Sequence, residues 1–190
     1  MNSLATLRRR SSHAVLAVTA GAVAITMGTP TAAQAAAPNV LVACTAAGQT
    51  NFAPGVQVFP LAQRVTYQGQ DSSCEDNSGV GVASATISAG FHGVIISCLG
   101  GGFGTGIGSG TIEWTLRNGE KISSQINLEI DNTVLNTASV SGHVLQGAFQ
   151  GEAFGGTFTT ELFNGASKCT AGAPFGGVKN AAFTGQFSIG

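Results

Sequence analysis

Residues 111–131 read T-I-E-W-T-L-R-N-G-E-K-I-S-S-Q-I-N-L-E-I-D, and this stretch decides the fold. Apolar and polar residues alternate from Thr111 to Arg117, and they alternate again from Glu120 to Asp131. Alternation with a period of two is typical of a β-strand that has one buried face and one wet face. We therefore predict two antiparallel strands joined at Asn118-Gly119.

The turn between these two strands determines their register. A two-residue loop would place Trp114 opposite Ser123, so the apolar face of one strand would lie beside the polar face of the other. A three-residue loop that ends with Gly119 in the left-handed conformation places Trp114 opposite Ile122 instead. We predict this second register because it brings the apolar residues of both strands onto one face.

The same alternation recurs along the chain as far as Ile189, with turn residues such as Pro54-Gly55 between the segments. Including short segments near Val40 and Val56, we count roughly eight to ten strands linked mostly by short turns. The sequence therefore predicts an all-β domain built as an antiparallel meander. Such a meander closes into a β-barrel or folds into a two-sheet β-sandwich. We favour the barrel because closure removes strand edges that so few charges would protect.

Residues 1–35 differ from the rest and have the three parts of a secretory signal peptide. Residues 8–10 are arginines, Ala14–Met27 is an apolar run, and Ala33-Gln34-Ala35 supplies small residues before a cleavage site. The apolar run is shorter than the roughly 20 residues that span a bilayer. We predict cleavage before Ala36, a single secreted β-barrel domain of residues 36–190, and no stable membrane insertion once the signal is removed.

The charge of the chain excludes two classes of partner. The 190 residues include eight Lys and Arg and nine Asp and Glu, which gives a formal charge of −1, and 43% are hydrophobic. Without the arginines at positions 8–10, five basic residues remain against nine acidic ones, a charge of −4. Such a chain must bury a core, and it offers no basic field for nucleic acid or anionic lipid. We expect no nucleic-acid partner.

Four cysteines follow the predicted cleavage site, and an even number in an exported protein indicates two disulfides. Of the three pairings, we favour Cys44–Cys74, which brackets a hairpin-sized stretch, and Cys98–Cys169, which ties distant strands together. An acylated Cys44 of a lipoprotein is the weaker interpretation, because residues 28–40 separate it from the apolar run. No pair has the spacing of a metal site, and we expect neither metal nor cofactor.

Residues 100–110 read G-G-G-F-G-T-G-I-G-S-G. A phosphate-binding loop would need a strand before the glycines and a helix after them, whereas here a strand follows. By strand parity, alternate glycines share the inner face with Trp114, so they either bend the strand and leave room for Phe side chains or leave an apolar lumen for a ligand. The residues that would line such a lumen are Gly104, Gly106, Gly108, Gly110, Trp114, Phe154, Phe158, Phe183 and Phe187.

Residues suited to catalysis are few. His92 precedes an expected bend at Gly93, and His143 faces outward by parity. Glu113 and Glu129 also face outward, where a carboxylate serves solubility rather than paired acid and base chemistry. No G-x-S-x-G nucleophile motif occurs. We predict a protein that is not an enzyme; the alternative is a small secreted enzyme with a histidine and a carboxylate at the barrel mouth.

One layout of residues extends over most of the mature chain. It consists of Cys44, a turn at Pro54-Gly55, Cys74, and then Ser97-Cys98-Leu99 running into the glycines and Thr111–Trp114. This layout resembles small four-cysteine exported proteins of actinobacteria, a group without an assigned function. The resemblance implies a secreted, disulfide-stapled β-protein and transfers no catalytic residue. We therefore expect a non-enzymatic extracellular barrel that binds a small apolar ligand or an envelope or extracellular partner.

Overall fold

The computed structural model describes residues 39–98, 102–134, 136–163 and 176–190. Within these ranges the chain forms ten β-strands, one short 3₁₀ turn at Glu161–Phe163 and no α-helix. The strands are β1 (Val42–Val56), β2 (Leu61–Gly69), β3 (Ser72–Asp76), β4 (Val82–Ser97), β5 (Gly102–Phe103), β6 (Gly106–Leu116), β7 (Lys121–Val134), β8 (Thr137–Gly147), β9 (Ala153–Thr160) and β10 (Val178–Ile189). The signal peptide predicted for residues 1–35 lies outside the described residues.

All pairs of described strands are antiparallel, and eight of these strands form a closed hydrogen-bonded ring. The order around the ring is β1, β2, β4, β6, β7, β8, β9 and β10. Strand β10 returns to β1, from Val42 opposite Ile189 to Asn51 opposite Asn180. Strand β3 continues the line of β2, since both lie between β1 and β4. The predicted meander is therefore closed into a barrel and is not a two-sheet sandwich.

The register predicted for the central hairpin is confirmed. Trp114 on β6 lies opposite Ile122 on β7. The backbone N–H of Leu116 donates to the carbonyl of Glu120 at 2.8 Å, which leaves three residues in the loop. Gly119 has a φ of +85°, the left-handed conformation that this loop needs. The alternation of residues and the chemistry of one turn therefore determine which face of this hairpin is buried.

Pro54-Gly55 lies within a strand, where we had predicted a turn between two strands. The expected short segment at Val56 belongs to β1, and the pairing of β1 with β10 shifts register just before it. The buried side chain of Gln63 fills the gap: its Oε1 accepts from the Gly55 N–H at 3.0 Å, and its Nε2 donates to the Gly55 carbonyl at 3.1 Å. The side-chain amide replaces the backbone partner that the bulge leaves out.

The predicted Cys44–Cys74 disulfide is confirmed. It joins β1 to β3 at two directly paired residues, with a Cα–Cα distance of 4.1 Å. Because the Cys44 sulfur is in this bond, it is not the acylated cysteine of a lipoprotein. The second predicted pair, Cys98–Cys169, cannot be located, since Cys169 lies outside the described residues; no described cysteine is free.

The barrel interior is filled by two groups of aromatic rings. In the first, the ring of Tyr67 lies 5.2 Å from Phe183, 5.7 Å from Phe91 and 6.1 Å from Phe158, measured between ring centres. In the second, the ring of Trp114 lies 5.2 Å from Phe149 and 6.1 Å from Phe187, and Phe187 stacks on Phe154 at 5.7 Å. Edge-to-face contacts of this kind add to the free energy gained by burying the rings.

Candidate functional site

The glycine face of β6 is directed inward, as predicted, and it is packed. A Cβ added at Gly106 would lie 2.7 Å from the Val94 side chain, and one added at Gly108 would lie 2.8 Å from the Phe91 ring. Both distances are shorter than real contacts allow, so these positions require glycine. Of the two roles considered for these glycines, the structure shows the first: they let β6 approach β4 closely, and neighbouring side chains fill the volume.

A space of about 10 Å³ lies among the interior side chains. It lies within the first aromatic group, where its lining includes Tyr67, Phe91, Phe158 and Phe183. A small-molecule site usually needs about 300 Å³ or more, and about 10 Å³ holds at most one water molecule. Of the predicted lumen residues, Trp114, Phe154, Phe158, Phe183 and Phe187 are buried in the core. Gly104 precedes β6 and is half-buried beside the backbone of Ile95. The side chains around the space would have to move apart to admit a ligand.

The buried polar groups of the described interior are uncharged. The Trp114 indole Nε1–H donates to the Ser124 hydroxyl at 2.8 Å, and that hydroxyl donates to the Ala148 carbonyl. Burial raises the pKa of the Tyr67 phenol far above its ordinary value, so this group stays protonated. The Thr50 hydroxyl is buried without a hydrogen-bond partner. These groups orient rings and cap a turn, and none of them is an acid or a base near neutral pH.

Both candidate catalytic histidines lie on the outer wall. His92 is exposed on β4, next to Gly93, whose φ of +72° produces the expected bend; His143 is exposed on β8. Glu113 forms an ion pair with Lys121, and Glu129 is exposed on β7. Within the described ranges, neither histidine side chain is joined to a carboxylate by a hydrogen bond or an ion pair. The described residues therefore do not assemble the histidine and carboxylate pair that the enzyme alternative requires.

The carboxylate of Asp76 stabilises the turn between β3 and β4. It accepts hydrogen bonds from the backbone N–H groups of Ser78, Gly81 and Val82 at 2.9, 2.7 and 3.0 Å, and one from the Ser78 hydroxyl. Partial burial acts to raise its pKa, but these hydrogen bonds outweigh burial and lower the pKa below its ordinary value. An ionised carboxylate with its oxygens occupied in this way has a structural role. No group of described residues is arranged to hold a metal ion.

The larger open spaces lie on the outer wall, in two hollows. One, of about 740 Å³, crosses β3, β1, β10 and β9 beside the disulfide, and we name it the β10 hollow. Its outward side chains are Ala43, Thr45, Ser73, Glu75, Thr157, Gln186 and Ser188, with Gly155 in its floor. The other, of about 510 Å³, crosses β2, β4, β6, β7 and β8, and we name it the β4 hollow. Its outward residues are Thr66, Gln68, Ser88, Gly90, Ser109, Thr111, Gln125 and Leu145.

The register of the strands aligns the polar side chains of the β4 hollow into two lines across the wall. The first runs through directly paired and exposed residues on six strands: Gln49, Gln68, Ser88, Thr111, Gln125 and Gln146. The second runs beside it through Asn51, Thr66, Gly90, Ser109, Asn127 and His143. Eleven of these twelve residues carry no charge at any pH in the ordinary range, because they are amides, hydroxyls and one glycine.

We did not predict these lines from the sequence. Outward Gln, Ser and Thr residues on a strand look like any solvated face, and only the register of each strand pair shows that they are continuous. Comparisons with protein-family models, with curated proteins and with solved structures found no match. The class that fold and surface define is an antiparallel β-barrel with a filled interior and a hollowed, polar outer wall.

Proposed function

We propose that residues 36–190 form a secreted, non-enzymatic protein that binds an envelope or extracellular partner through the outer wall of its barrel. The Cys44–Cys74 disulfide supports an oxidising compartment, where such bonds persist. The proposed membership of the four-cysteine exported group is consistent with that location. Secretion and removal of residues 1–35 are parts of this proposal.

The observation that carries the proposal is the contrast between the inside and the outside of the barrel. The space within the first aromatic group of the interior is about 10 Å³, whereas the two hollows of the outer wall measure about 740 and 510 Å³. A small apolar ligand could enter the interior only if several side chains moved apart. An extracellular partner needs only the surface that the barrel already presents.

Sedimentation with envelope material tests this proposal. Protein recovered from its own culture medium is mixed with the insoluble envelope fraction of the same culture, and the bound fraction is measured after centrifugation. Two matched variants place one long cation in each hollow at an exposed threonine or serine: Thr157→Arg in the β10 hollow and Ser109→Arg in the β4 hollow.

The wild-type protein should sediment with the envelope fraction, and at least one of the two variants should stay in the supernatant. Binding through the outer wall is contradicted if the wild type stays in solution or if both variants sediment as it does. Native mass spectrometry of the same protein gives the competing result: a retained small apolar molecule would show that the barrel interior opens and is the binding site.

A further inference from the structure

We infer that the β4 hollow is a binding site for an uncharged, polyhydroxylated chain, that is, a neutral glycan. This inference rests on the proposed function and names the chemistry of its partner. The first support is the floor of the hollow, Gly90. A Cβ built at Gly90 would find only the Thr66 methyl group near it, at 3.9 Å, and the strand is regularly paired there with Thr66 on one side and Ser109 on the other.

Glycine at such a position has a cost that the fold itself does not explain. Inside a strand, glycine is less stable than alanine, and it is expected at bulges, at tight bends or where a ligand approaches the backbone closely. Gly90 is regularly paired and has no positive φ, and no described residue occupies the space above it. A bulge with Gly93 at a φ of +72° follows two residues later on the same strand. Close approach by something outside the protein would account for a glycine here. Gly155 in the floor of the β10 hollow is equally open, so the open glycine marks both hollows as candidate surfaces, and the chemistry of the lining distinguishes them.

The chemistry of the lining selects the class of ligand. The outward residues of the β4 hollow include no Lys, Arg, Asp or Glu, although the mature chain carries fourteen of them. An anionic ligand would find no cation there, and a cationic ligand would find no carboxylate. Its one exposed apolar side chain is Leu145, which is 53% exposed, so an apolar ligand would find little surface.

Amides and hydroxyls both donate and accept hydrogen bonds, as the hydroxyl groups of a sugar do. Within the hollow, the line from Gln68 to Gln125 crosses four strands, and at about 4.8 Å between neighbouring strands it extends roughly 14 Å along the curved wall, enough to contact a short segment of a glycan. A protein partner is less suited, since the centres of protein interfaces are rich in Tyr, Trp, Phe, Met and Arg. The outward lining of this hollow has none of these.

Titration with linear oligosaccharides, followed by NMR of the labelled protein, tests this site. The probes are three neutral hexasaccharides, cellohexaose, maltohexaose and hexa-N-acetylchitohexaose, and the charged control is hexagalacturonate. In the variant Gly90→Val a side chain fills the hollow without a backbone clash. Its matched control is Gly155→Val in the floor of the β10 hollow, where a Cβ would meet only the Ser188 hydroxyl, at 4.0 Å. A second variant, Gln68→Ala with Gln125→Ala, removes two hydrogen-bonding side chains and leaves the floor unchanged.

At least one neutral hexasaccharide should bind, with hexagalacturonate binding more weakly. We expect Gly90→Val, which fills the floor of the hollow, and the double glutamine variant, which removes two hydrogen-bonding side chains, each to weaken binding about tenfold. Gly155→Val should bind like the wild type. The inference is overturned if no neutral probe binds at up to about 10 mM, or if Gly90→Val and Gly155→Val have equal effects. Envelope sedimentation that persists in either case would leave the proposed function standing and remove only the glycan site.

Discussion

Glycines on the two faces of the barrel wall have opposite surroundings. On the inner face, a Cβ at Gly108 would lie 2.8 Å from the Phe91 ring, and one at Gly156 would lie 2.7 Å from the Phe158 ring. On the outer face, a Cβ at Gly90 has one neighbour among the described residues, at 3.9 Å. Packing therefore requires the inner glycines, whereas no described contact requires the outer one.

The difference shows what each face of the wall does. The inner glycines are offset by the aromatic rings that pack against them, and removing them would disturb the fold. The outer glycine weakens its strand with no compensating contact among the described residues, which is what an open binding surface of the kind we propose would require. The inner face thus determines stability, and the outer face carries the binding surface that we propose.

The largest effect should come from the inner face at Trp114. Trp114 is fully buried, contacts Phe149 and hydrogen-bonds Ser124. Trp114→Ala should lower the free energy of unfolding by about 3–5 kcal/mol, because it removes a large buried ring and leaves a cavity. Urea denaturation measures this loss. The adjacent outward variant Glu113→Ala is the control and should change the midpoint far less; equal losses would contradict the assignment of faces.

The next effect should come from the Cys44–Cys74 disulfide, which holds β3 against β1. The variant Cys44→Ala with Cys74→Ala should lower the free energy of unfolding by about 2–4 kcal/mol, since the bond closes a loop of 30 residues in the unfolded chain. Thermal unfolding with and without reductant measures the effect. Reductant should destabilise this variant further if Cys98 and Cys169 form the second predicted pair. An unchanged melting temperature in the double variant would contradict a stabilising role for the Cys44–Cys74 disulfide.

A smaller loss is expected at the inner glycine Gly108. Gly108→Ala places a methyl group against the Phe91 ring and the Gly90 carbonyl. Both the ring and the backbone of β4 at Gly90 must shift within a packed interior, which should cost about 1–3 kcal/mol of stability. The urea midpoint would show the loss, and the Phe91 signals in an NMR spectrum should move. A variant as stable as the wild type would mean that the interior has more free volume than the structure shows.

Local patterns were sufficient to predict the hairpin of β6 and β7. Alternation selects the faces of both strands, and the three-residue loop ending at Gly119 fixes the register, so no distant residue is needed. Closure of the ring between Val42 and Ile189 depends on segments almost 150 residues apart. For that contact the sequence offered only an indirect argument, namely that few charges are present to protect open edges.

Two features were beyond sequence reasoning for the same physical reason. Gln63 binds the backbone of Gly55 across a bulge, but nothing near Gln63 in the sequence marks it as a partner. Likewise, Gln68 and Gln125 belong to one line only because three successive strand pairs, β2–β4, β4–β6 and β6–β7, set their registers. Each feature depends on the pairing of strands that lie far apart in the sequence. The alternation of residues within one strand does not predict that pairing.

The smallest change in stability is expected for Gly90→Ala. This variant is also the most direct test of the difference between the inner and outer glycines. The new methyl group meets no close neighbour, and the backbone there is extended, so the variant should be more stable than the wild type by about 0.4–1 kcal/mol, because alanine has less freedom to lose on folding. Paired urea curves of Gly90→Ala and Gly108→Ala, on adjacent strands, should shift in opposite directions. If Gly90→Ala destabilises the protein, the fold itself requires glycine at this position. The glycine would then no longer support a binding surface. If it stabilises the barrel while weakening retention by the envelope fraction, the wild-type chain keeps a less stable strand in exchange for an open surface.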